Sequence, residues 1–180
     1  TGDPVARVAA AELPGGGKLA AWITYVAGGD RAAGGKKGRA ARDDAPAARL
    51  TVRPIGAGAA NLSLAAAPVL VSQNAISAGG LALAPAPPAR NKPAETVLAW
   101  VAKERGEPQV FVTKLGPDGK KLAQKGVTVI ARRGRGKTGL PSEASDVAAA
   151  YDGHDGWVVA WVDTRDGNPE VYVAKVDRSM

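Results

Sequence analysis

Apolar positions in this chain come in short runs rather than in long helical stripes. Thr96-Val97-Leu98-Ala99-Trp100-Val101-Ala102 is apolar throughout, rich in β-branched and aromatic residues, and bounded by polar ones. That pattern predicts a strand covered on both faces. A second run, Val158-Val159-Ala160-Trp161-Val162, has the same character. Leu19-Ala20-Ala21-Trp22-Ile23 is a third, with Ala48-Arg49-Leu50-Thr51-Val52-Arg53-Pro54-Ile55 as its partner. Further strands are predicted at Leu81 to Ala84, at Asp146 to Ala150, from Leu62 to Val71, and from Lys120-Lys121-Leu122 into Val127-Thr128-Val129-Ile130. No stretch of about ten residues presents an apolar helical face with caps, so the predicted class is all-β.

These runs belong to a repeat. Trp100-Val101-Ala102-Lys103-Glu104-Arg105-Gly106-Glu107-Pro108-Gln109-Val110-Phe111-Val112-Thr113-Lys114 aligns without gaps on Trp161-Val162-Asp163-Thr164-Arg165-Asp166-Gly167-Asn168-Pro169-Glu170-Val171-Tyr172-Val173-Ala174-Lys175, 61 residues later. Trp, Val, Gly, Pro, Val, Val and Lys are identical, and Phe111 aligns with Tyr172. Gly106 and Gly167 stand where a tight hairpin needs positive φ. Pro108 and Pro169 open the following strand, where a missing N–H is tolerated. The copy at Trp22 lies 78 residues before Trp100 and is lengthened by a basic, glycine-rich insertion at 28–46. The expected organisation is one β-repeat domain over 1–180, with units near 1–73, 74–133 and 144–180. Each unit is a set of four antiparallel strands.

The segment Ala160-Trp161-Val162-Asp163-Thr164-Arg165-Asp166-Gly167-Asn168-Pro169-Glu170-Val171-Tyr172 resembles a repeat of secreted bacterial β-propellers that reads A-W-x-D-x-R-x-G-x-x-x-I-Y. The Trp100 copy keeps the Trp, Gly and aromatic but has Ala102 and Glu104 in place of Asp and Arg. The resemblance implies propeller-type blades and a secreted or cell-envelope setting, but no particular activity. Propellers close with about 4–8 blades, whereas this chain supplies two and a half to three. The expectation is an incomplete propeller completed by another chain or by copies of this one; the alternative is a β-sandwich. The chain opens on Thr1 with no leader, as a processed chain or a piece of a longer one does.

Composition narrows the chemistry. The chain of 180 residues has no Cys and one His, His154, which leaves no disulfide framework, no thiolate zinc site and no multi-His metal site. No run of 18 apolar residues predicts a membrane helix. The net charge is +7. It collects in Lys36, Lys37, Arg39 and Arg42, in Lys120, Lys121 and Lys125, and in Arg132, Arg133, Arg135 and Lys137. These clusters lack interleaved aromatics, so an acidic protein or glycan surface is the expected partner rather than nucleic acid.

Other candidate sites are slight. Ala131-Arg132-Arg133-Gly134-Arg135-Gly136-Lys137-Thr138 ends like a phosphate loop but lacks its first Gly, and Gly139 and Pro141 disfavour the helix it needs. Asp163, Asp166, Asn168 and Glu170 place four oxygen donors within eight residues, a candidate Ca²⁺ set. Tyr151-Asp152-Gly153-His154-Asp155-Gly156-Trp157 reads as a turn. Trp22, Trp100 and Trp161 recur at one strand position, as packing residues do. Trp157 falls outside that register and is the expected exposed contact.

The reading as a whole is a non-catalytic binding or scaffold module that uses propeller loops for protein or glycan contacts. The alternative is part of a propeller-type glycan-processing enzyme whose catalytic residues lie mostly outside this chain. The Ser-x-Asp-x-Gly-x-Thr-Trp repeat of sialidases is absent.

Overall fold

A strand with apolar side chains on both faces needs a covering layer on each side. The chain provides these layers by stacking three small sheets. The structure, a computed structural model, describes residues 5–26, 47–56, 67–72, 80–90, 93–104, 107–122, 128–129, 144–164 and 166–179. The first sheet holds β1 (Val5–Glu12), β2 (Lys18–Val26), β3 (Ala47–Ile55) and β4 (Val69–Ser72) in chain order. The middle sheet holds β5 (Leu81–Ala86), β6 (Glu95–Glu104), β7 (Glu107–Leu115) and β8 (Thr128–Val129). The third holds β9 (Ala144–Tyr151), β10 (Gly156–Asp163) and β11 (Glu170–Asp177). All pairings are antiparallel, each sheet is an up-and-down meander, and no helix occurs among the described residues. The all-β class is therefore correct.

The repeat register is visible in the pairing. Trp100 lies opposite Phe111 and Trp161 opposite Tyr172, each pair stacked with ring centroids 5.8 and 6.1 Å apart. Gly167 takes φ +95° in the β10–β11 turn, and its amide donates to the Thr164 carbonyl at 2.9 Å. Gly106 and Arg165 lie outside the described residues.

Some boundaries differ from the sequence-based expectation. Lys120 closes a turn and Lys121 bridges to Leu115, while the described part of the expected strand is Thr128–Val129; Val127 and Ile130 lie outside the described residues. The turn wins because Gly119 adopts φ +77° and the Asp118 carboxylate accepts the Lys120 amide. Val5–Glu12 is a strand that the sequence did not single out. Its Ala-rich run has little alternation, and its backbone is held by pairing with β2.

Two apolar clusters join the layers. Leu19, Ala21, Ile23, Leu50, Val52 and Val71 of the first sheet pack on Leu98, Trp100, Phe111 and Leu115 of the middle one. Val97, Ala99, Val101, Val110 and Val112, on the opposite side of the middle sheet, pack on Val147, Trp157, Val159, Trp161 and Val176 of the third. Thr96 to Ala102 is thus covered on both faces. The stack remains open at its two ends, with no closed sheet among the described residues.

Candidate docking faces at the ends of the stack

The joints between sheets show how one layer receives the next. At the joint of the first and middle sheets, Lys121 Nζ donates to the Val71 carbonyl at 2.7 Å. The Gly119 turn lies on Val52, Pro54 and Leu19, close enough that an added Cβ would sit 3.3 Å from Val52 Cγ1. At the joint of the middle and third sheets, Trp157 Nε1 donates to the Ala84 carbonyl and Arg178 Nη2 to the Pro87 carbonyl, both at 2.8 Å. Buried Lys114 Nζ donates to the Arg178 carbonyl at 2.5 Å and stands 4.0 Å from Glu95 Oε1. Gly80 comes so close that an added Cβ would lie 2.4 Å from the Val147 amide nitrogen, so only glycine fits there.

Trp157 is fully buried in this joint, which corrects its expected role as an exposed contact. Alternation along β10 places residues 157, 159 and 161 on one side, and that side faces the middle sheet. The Arg178 guanidinium lies 5.8 Å from the Trp157 ring centre and 5.2 Å from that of Tyr151.

The end faces carry the same pattern, with no covering layer among the described residues. On the outer side of the third sheet, directly paired residues form the rows Ala148–Ala160–Val173, Ala150–Val158–Lys175 and Val162–Val171. The middle sheet has the matching rows Ala82–Ala99–Val112, Ala84–Val97–Lys114 and Val101–Val110. These eight positions agree residue for residue; Ser145, opposite Val162 beyond a register shift in β9, has no paired counterpart in β5. In the middle sheet Val97, Val110 and Val112 are buried under the third sheet, whereas Val158, Val171 and Val173 are 38%, 71% and 61% exposed. On the outer side of the first sheet, Val8, Trp22, Thr51 and Leu70 form one row across all four strands. Val8 and Leu70 are exposed and Trp22 half-buried.

The rim of the third sheet is charged and ordered. The Asp152 carboxylate accepts the amides of His154 (2.8 Å) and Gly156 (3.2 Å) and stands 3.3 Å from Lys175 Nζ. These backbone donors, aided by Lys175, hold its carboxyl down at about 2. Lys175 also donates to Asp155 at 2.8 Å, and its ammonium is raised, first by Asp155 and then by Asp152. Gly153 at φ +87° completes the turn expected for 151–157.

Of the four oxygen donors considered for Ca²⁺, two have partners within the third sheet. Buried Asp163 accepts from Trp161 Nε1 at 3.3 Å, and exposed Asp166 accepts the Tyr172 hydroxyl. Asn168 and Glu170 are exposed. Among the described residues no group of three His, Asp or Glu is arranged to hold a metal. No described helix is long and apolar enough to cross a membrane. Lys36, Lys37, Arg39, Arg42, Lys125, Arg132, Arg133, Arg135 and Lys137 lie outside the described residues, as does the phosphate-loop-like segment. No family model, no curated protein and no solved structure matches the chain.

Proposed function

We propose that this chain is a non-catalytic scaffold and binding module of a secreted or cell-envelope assembly, its sheets forming part of a propeller-type stack. One observation carries the reading: the outer face of the third sheet repeats, residue for residue, a face that the middle sheet buries. A large apolar patch on a soluble surface marks an interaction site. The setting, and loop contacts to protein or glycan, rest on the Trp161 repeat and on the basic loop clusters.

A hydrophobic dye tests the reading. The dilute chain binds the dye through the outer Val face. Val171→Asp with Val173→Asp lowers that binding to what the first sheet's outer face contributes and leaves Tm unchanged, because both residues are already exposed. Dye binding that ignores the double substitution removes the docking face and with it the scaffold reading. Hydrolysis of fluorogenic glycosides by the purified chain would instead establish the glycan-processing enzyme.

A further inference from the structure

The two end faces differ in kind. Trp100 turns toward the sheet before it and Trp161 does the same, each joining the cluster that closes the preceding joint. Trp22 sits at the same repeat position, on the side of β2 opposite Leu19, Ala21 and Ile23, so it faces outward at the head of the stack. The tail of the stack presents the receiving pattern of Ala, Val and Lys. Each chain thus has one Trp-bearing face and one face of the type that Trp-bearing faces cover.

We propose that the occupant of the third sheet's outer face is the first sheet of a second copy of this chain. The reverse contact forms at the other end, giving a head-to-tail dimer of six stacked sheets. The inference rests on the scaffold reading above and names its partner. It extends packing already present at both internal joints. Reusing one such contact twice closes a ring with two-fold symmetry, and six sheets fall within the range of about 4–8 at which such rings close.

Size favours two contacts over one. A three-stranded face eight residues long measures about 26 by 14 Å, given about 3.3 Å per residue and 4.8 Å per strand. Two such faces approach the roughly 800 Å² per partner of a stable interface, and one does not. The head face is the more polar, since Thr51 and Arg53 stand where the middle sheet has Phe111 and Thr113. The dimer is therefore weaker than the internal joints and dissociates on dilution.

The chain has no Cys, so single cysteines report the geometry cleanly. Thr51→Cys marks the head face and Ala160→Cys the tail face. Sedimentation of the unmodified chain gives a dimer at high concentration, and Val173→Asp shifts the dissociation constant upward at least tenfold while the Tm of the dilute monomer is unchanged. A mixture of the two cysteine chains forms a mixed disulfide, and neither alone does so. A chain that stays monomeric at all concentrations overturns the second-copy proposal, as does a disulfide formed by the Ala160→Cys chain alone. Neither result touches the dye experiment, so failure of the partner is distinguishable from failure of the docking face.

Discussion

The β6–β7 hairpin and the β10–β11 hairpin share a repeat register, identical at seven of fifteen aligned positions, and have opposite surroundings. Val110 and Val112 are buried, while Val171 and Val173, their counterparts, face solvent. Lys114 reaches across to the third sheet, while Lys175 folds back on Asp152 and Asp155 of its own. Burial here is decided by what lies on top of a hairpin, not by its sequence. The inward sides differ too. Trp161 has Asp163 two residues on to accept its indole N–H, whereas Trp100 has Ala102 there and no acceptor among the described residues. The unpaired Trp100 sits in the joint with the first sheet, where apolar packing carries the contact.

Six substitutions and one titration test this contrast. Trp157→Ala has the largest effect, about 3–5 kcal/mol of lost stability, because it empties the buried joint. Trp157→Phe isolates the bond to Ala84, and about 1–3 kcal/mol is expected for the carbonyl left unpaired. Chemical denaturation with a constant m-value measures both. Gly80→Ala follows at about 1–3 kcal/mol, since its Cβ collides with the Val147 backbone. A neutral result would mean that the middle and third sheets slide freely. Next comes the matched pair. Val112→Ala removes about 1.6 kcal/mol at about 0.8 per buried methylene, and Val173→Ala changes the dilute chain by less than about 0.5. Equal losses would erase the distinction between covered and open hairpins.

The smallest effect is electrostatic. The Asp152 carboxyl is held below its ordinary value, so the folded state binds its proton less readily than the unfolded chain. Its contribution is present above about pH 4 and is lost as pH falls through about 2. NMR titration of the Asp152 carboxyl places the midpoint near 2. Asp152→Asn flattens this part of the acid-stability curve while leaving the Val112 and Val173 values untouched.

Much of the fold was legible because the repeat supplies its own control. Trp100 and Trp161 in register marked the central strands and the hairpin that follows each. Trp157 was misread although the signal was present. Counting by twos from Trp161 puts it on the same inward side, and its position outside the repeat register concealed this. The strand at Val5–Glu12 was legible only by analogy with the strands that precede Trp100 and Trp161. The shortfall of blades pointed to open ends, but which rows form them was not legible, since matching rows of Ala and Val are covered in one sheet and open in the next.

Three hydrogen bonds across the joint of the middle and third sheets share one property: their acceptors, at Ala84, Pro87 and Arg178, are main-chain carbonyls. A carbonyl survives whatever side chain occupies its position. Substitution at Ala84 or Pro87 leaves the acceptor in place, whereas the donors Trp157, Arg178 and Lys114, and Gly80 with its close approach to Val147, carry sequence information. Such a joint tolerates drift at its acceptor positions, so repeats can diverge there in sequence while their sheets still meet at a fixed offset.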